Sequence, residues 1–197
     1  MSTEYELKFR ATPEILAAIE AAIDGPETRY QMETVYYDTR DRALSARNIT
    51  LRRRMENTLS VCTLKAPQKI GRQEFEVEKN TIEEALPELC KLSNLPELPQ
   101  LLQNGVFPLC GAKFTRIAKT VTAKTGVVEL ALDRGVLTGG GRELPLCEVE
   151  VELKEGSVSW ANAYAKTLSL VYGLTPEPRS KFARAASLTL EEHDDTE

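Results

Sequence analysis

Charge falls on every second residue in three segments of this 197-residue chain: Glu4-Tyr5-Glu6-Leu7-Lys8, Arg72-Gln73-Glu74-Phe75-Glu76-Val77-Glu78 and Glu148-Val149-Glu150-Val151-Glu152. Side chains two apart in a β-strand share a face, so each segment carries a row of carboxylates. Arg52 and Arg54 repeat the spacing with the opposite sign, and Arg72 shares the face of Glu74, Glu76 and Glu78. Oxygen-only ligands suit Mg2+ or Mn2+, hard ions that keep waters and bridge to phosphate. Lys and Arg suit the phosphate oxygens, Arg through its planar fork. The chemistry open to such a face is metal-assisted phosphoryl transfer, which needs positioning and charge neutralisation more than it needs a histidine.

Histidine is scarce in any case. The single one, His193, lies in the acidic stretch Glu191-Glu192-His193-Asp194-Asp195. That excludes Ser-His-Asp triads, Cys-His pairs and His-rich zinc sites. Cys62, Cys90, Cys110 and Cys147 have no metal-ligand spacing and read as small buried hydrophobes. No GxxxxGK[ST] loop is present, and Gly139-Gly140-Gly141 reads as a hairpin turn. The net charge of −5 argues against nucleic acid as a partner. No apolar run approaches the roughly 18 residues needed to span a bilayer, and the N-terminus lacks the features of a signal peptide. A cytoplasmic protein with no membrane partner is expected.

The elements that must position the charged rows follow from pattern. Strands are predicted at 4–10, 29–39, 49–55, 59–64, 72–79, 114–123, 127–137 and 143–154. Thr12 and Pro13 open a helix to about Ile23, and Thr81-Ile82-Glu83-Glu84 opens another as a capping box. Pro87, Pro96, Pro99 and Pro108 are expected to break 86–109 into short pieces. Helices at 160–172 and 180–188 close the pattern. Eight strands in hairpin order, with no βαβ alternation, predict an α+β fold built on an antiparallel barrel or a strongly curved sheet. Residues 1–190 read as one domain and 191–197 as a disordered acidic tail.

A solvated sheet face also alternates charge. Two features point the other way. Glu148, Glu150 and Glu152 form a single-sign row, which repels unless a cation offsets it. Leu7, Phe9, Phe75, Val77, Val149, Val151 and Leu153 occupy the opposite faces, so the apolar core lies outside the charged rows. Helices on that outer face would leave the charges pointing into a barrel interior with room for one small ligand.

These residues resemble a known family. Glu4-x-Glu6-x-Lys8 is the ExExK signature of the CYTH superfamily, the triphosphate tunnel metalloenzymes. Further matches run in the family's order: Leu51-Arg52-Arg53-Arg54, Thr63-Leu64-Lys65, Arg72-Gln73-Glu74-Phe75-Glu76, Arg116, Leu132-Asp133, Glu148-Val149-Glu150 and Ser180-Lys181-Phe182-Ala183-Arg184. The chain is most similar to the bacterial inorganic triphosphatases of that family, without the helical CHAD domain that some carry downstream.

The resemblance implies an eight-stranded tunnel holding Mg2+ or Mn2+ and a small-molecule triphosphate, in a monomer or homodimer. It makes Glu4, Glu6, Glu148 and Glu150 the metal-side acids, with Asp133 nearby. Lys8, Arg52, Arg54, Lys65, Arg116 and Lys181 would grip the triphosphate, with Arg184 adding a contact one helical turn beyond Lys181. Of Glu74, Glu76 and Glu78, Glu76 is the favoured catalytic acid. Hydrolysis of the terminal phosphate of inorganic tripolyphosphate is the expected activity. The alternatives are a class IV-type adenylate cyclase, a thiamine or nucleoside triphosphatase, and a non-catalytic polyphosphate-binding module.

Overall fold

The computed structural model describes residues 5–68 and 72–190. Glu4 and the acidic tail 191–197 lie outside the described residues. In chain order the elements are β1 (Glu6–Arg10), α1 (Pro13–Ala22), β2 (Glu27–Asp38), β3 (Thr50–Glu56), β4 (Leu59–Pro67), β5 (Arg72–Glu78), α2 (Ile82–Ser93), α3 (Leu98–Leu101), β6 (Phe107–Ala123), β7 (Gly126–Gly139), β8 (Arg142–Gly156), α4 (Val158–Tyr172), β9 (Thr175–Pro176) and α5 (Lys181–Ser187). The fold is α+β, with nine strands in one antiparallel sheet ordered β5-β4-β3-β2-β6-β7-β8-β1-β9. Two expectations are corrected here. Among the described residues the strand count is nine, because Thr175–Pro176 pairs with Phe9 and Arg10. The hydrogen-bonded order also ends at β5 and β9, so it does not return on itself as a closed barrel's would.

The chain forms two compact units, each assembled from separate stretches. The first comprises Met1–Gln31, Phe114–Val136 and Pro145–Ser180; the second comprises Met32–Lys113, Leu137–Leu144 and Lys181–Glu197.

In the first unit β1 and β8 pair antiparallel, with Leu7 opposite Val151 and Phe9 opposite Val149. Phe9, Val149 and Val151 are buried against Leu16 and Ile19 of α1 and Ala161, Ala165 and Leu168 of α4. Burying each such large aliphatic contributes about 1.5–3 kcal/mol, which is what fixes the register of the strands. As the sequence predicts, Thr12 caps α1, its hydroxyl accepting from the Ile15 amide at 3.3 Å, with Pro13 at the first helical position. Gly173, in the left-handed region at φ 65°, terminates α4.

In the second unit β2 to β5 are consecutive antiparallel neighbours. Their apolar face carries Leu51, Cys62, Leu64 and Val77, buried against Ile82, Ala85 and Leu89 of α2 and Leu98 of α3. The capping box on Thr81 is present, Thr81 and Glu84 satisfying each other's amides. Pro87 was expected to break this helix, yet α2 runs through it. The buried Ile82, Ala85 and Leu89 face outweighs the one lost backbone bond. Among the described residues, no helix is long and apolar enough to cross a membrane.

Candidate active site

Alternation along β1 and β8 puts the predicted charges on the face opposite the first unit's core. The register sets Glu6 across from Glu152, Lys8 across from Glu150 and Arg10 across from Glu148. The β8 part of the row is not a solvated surface. Glu148 and Asp133 are 0% exposed, and the Glu150 side chain is 12% exposed. Buried carboxylates are rare unless paired. Asp133 on β7 and Glu148 and Glu150 on β8 bring ligand oxygens within 4.8 Å of one another. The donor set is all oxygen, so these residues fit a hard divalent ion such as Mg2+ or Mn2+.

Arg116 on β6 lies among these acids. Its Nε donates to Asp133 Oδ1 at 2.8 Å, and its Nη2 donates to Asp133 Oδ2 at 2.7 Å and Glu150 Oε2 at 2.5 Å. Burial alone would lower the Arg116 pKa, but Asp133 and Glu150 hold it well above the ordinary range. The guanidinium is permanently charged. Lys8 Nζ pairs with Glu6 at 3.1 Å. The first unit therefore gathers six of the predicted residues: Glu6, Lys8, Arg116, Asp133, Glu148 and Glu150.

The second unit gathers the remaining bases. Across β2 to β5 one face carries Thr34, Arg54, Arg52, Thr63, Lys65, Glu74 and Glu76, as their registers require. Arg53 points to the other face and donates from Nε to Ser60 Oγ at 3.1 Å. Glu74 sits between Lys65, at 2.8 Å, and Arg52, at 3.2 Å. Glu76 accepts from Thr63 Oγ1 at 3.0 Å and lies 3.8 Å from Arg52. Arg54 donates to Thr34 Oγ1 at 3.3 Å. On α5, Lys181 and Arg184 are 7% and 4% exposed, one turn apart on one face. Phe182 anchors that helix against the Tyr36 ring, with centroids 5.1 Å apart.

Burial pushes the Glu74 pKa up, but Lys65, Arg52 and Arg54 outweigh it and hold the carboxyl below its ordinary 4.5. A depressed carboxyl stabilises the fold above that ordinary value and loses its contribution as pH falls through the depressed one. Thermal melts of wild type and Glu74→Gln should therefore differ by a constant amount near neutrality. The gap should close once the pH drops below about 4. A gap that widens on acidification would contradict this assignment.

Three participants were not singled out from spacing. Thr63, met above only as part of a motif, and Thr34 position Glu76 and Arg54, roles visible only once the strand register is known. Glu177, 3% exposed, receives Arg179 through two 3.1 Å bonds, and its amide donates to the Lys8 carbonyl at 2.9 Å. It braces the strand that carries Lys8. A cavity of about 560 Å3 in the second unit, lined by Thr34, Cys110, Gly111 and Thr138 among others, contains none of the predicted site residues. Burial pushes the Cys110 thiol up to about 12, so it is inert at neutral pH.

The structure is a nine-stranded α+β sheet that carries a buried all-oxygen acid cluster in one unit and a row of Arg and Lys in the other. The CYTH domain family matches residues 2–186, and the chain belongs to it. An inorganic triphosphatase from Haemophilus influenzae is 28% identical over 177 residues, covering 85% of this chain and 50% of that protein. The chain thus spans half the length of that curated relative. HpAC1 from Hippeastrum, named as a candidate adenylyl cyclase with a dominant triphosphatase activity, superposes with a TM-score of 0.63 at 19% identity, covering 96% of this chain and 98% of that one. A candidate adenylate cyclase from Bacillus halodurans gives 0.63 at 17% identity, covering 93% and 98%. These two likenesses establish the shared fold.

Proposed function

We propose that the protein hydrolyses the terminal phosphate of a triphosphate, with inorganic tripolyphosphate as substrate and Mg2+ or Mn2+ as cofactor. The observation that carries this reading is the buried Asp133, Glu148 and Glu150 cluster in a CYTH chain. The triphosphatase relative supports the choice of substrate.

Asp133, Glu148 and Glu150 would hold the metal, with Glu6 on the neighbouring strand; Glu4, outside the described residues, is proposed as a further metal-side acid. A divalent ion there would polarise phosphate oxygens and lower the pKa of a bound water. Lys8, Arg52, Arg54, Lys65, Lys181 and Arg184 bind and neutralise the phosphate oxygens as charge develops on the leaving group. Arg116 adds a guanidinium at the edge of the acids. Glu76 is better suited than Glu74 to take the proton of the attacking water. Glu74 is committed to Lys65 and Arg52, whereas Glu76 is half-exposed and held chiefly by a hydroxyl.

Phosphate release should be measured from tripolyphosphate, ATP and thiamine triphosphate with each ion, and cyclic AMP formation followed in parallel. The expected result is metal-dependent release from tripolyphosphate, abolished by chelator. Cyclic AMP as the main product would replace this reading with a cyclase. Tight, metal-independent triphosphate binding without turnover would replace it with a binding module.

A further inference from the structure

Both oxygens of Asp133 accept from Arg116, and the same Nη2 that bonds Asp133 also bonds Glu150 Oε2. Two of the three carboxylates that could ligate an ion are therefore already engaged by one guanidinium. A divalent ion ligated by Asp133 and Glu150 would lie within a few ångströms of a permanent positive charge that competes for the same lone pairs. Like charges at such a distance repel strongly in a buried setting. The Arg116 side chain is 15% exposed and Asp133 is 0% exposed, so solvent screening between them is weak.

Resting on the reading above of these acids as metal ligands, we propose that Arg116 is a built-in counter-ion that antagonises metal binding at Asp133 and Glu150 and is released from them to an anionic ligand. A phosphate group offers Arg116 an alternative bidentate acceptor. Its transfer to that acceptor lowers the opposition to the ion, so metal and triphosphate bind with positive coupling. Arg116 in this sense opposes the metal in the absence of the anionic ligand and contacts that ligand once it is bound.

The test is Mn2+ binding, followed through the free-ion electron paramagnetic resonance signal at pH 8 without substrate, for wild type, Arg116→Lys and Arg116→Gln. Removing a unit charge this close should tighten Mn2+ binding by about tenfold or more in Arg116→Gln. Arg116→Lys, which keeps the charge but loses the fork, should fall between that variant and wild type. It also serves if the glutamine variant fails to fold, as judged by circular dichroism. Asp133→Asn added to Arg116→Gln should cancel the gain. Mn2+ bound by wild type but no more tightly by either variant would overturn this inference and leave the metal reading intact. No Mn2+ bound by any of the proteins would overturn both.

Discussion

Glu150→Gln should release phosphate from tripolyphosphate at least about 10²–10³-fold more slowly than wild type, at saturating metal. The substitution keeps shape and removes one charge from a cluster of three carboxylates whose ligand atoms lie within 4.8 Å. It also replaces a carboxylate oxygen with an amide that must turn either its oxygen or its NH2 toward Arg116. The fold should survive, because Arg116 keeps its two bonds to Asp133 and Val149 and Val151 still hold β8 in register. Losing the 2.5 Å bond to Arg116 should cost about 1–3 kcal/mol of stability. The variant should therefore melt a few degrees lower and still fold cooperatively, with its Mn2+ affinity reduced. Turnover at wild-type rates would remove Glu150 from the metal site.

The alternating rows were legible in the sequence because side-chain direction in a strand follows from spacing alone. Glu6 and Lys8, Glu148 and Glu150, and Arg52 and Arg54 each share a face as their numbers require. The outward apolar cores were equally legible, since Phe9, Val149 and Val77 fall on the odd positions. Pairing was not. That Arg116 on β6 meets Asp133 on β7 and Glu150 on β8 depends on strand order, and no local pattern encodes it. The same is true of Glu74 taking Lys65 as its partner across the β4–β5 ladder. Proline misled the reading twice in the same direction. Pro87 lies inside a helix that tertiary burial carries past it, and Pro108 sits one residue inside β6, whose first residues looked like loop. Pro176 belongs to a two-residue strand at the end of the sheet order, a place where a missing amide donor is tolerated.

Arg52→Lys should lower kcat/KM for tripolyphosphate by about 10²-fold, and Arg52→Met by about 10³-fold, each with a modest change in melting temperature. Arg52 Nη2 reaches Glu74 at 3.2 Å and Glu76 at 3.8 Å, so the structure alone could cast the residue as a counter-ion. One atom argues for more. Arg52 Nε is buried with no hydrogen-bond partner among the described residues. A buried donor left unpaired costs about 1–3 kcal/mol, a cost that an incoming phosphate oxygen would remove. Lysine retains the charge but presents no second donor in a fixed plane, so it can restore the pairing with Glu74 and not the fork. Glu74 keeps Lys65 at 2.8 Å in either variant, which is why stability should change little. Kinetics and melts on the same preparations separate the two roles. A purely structural Arg52 would show the reverse pattern, with melting temperature lowered, activity per folded molecule unchanged, and lysine restoring the melting temperature.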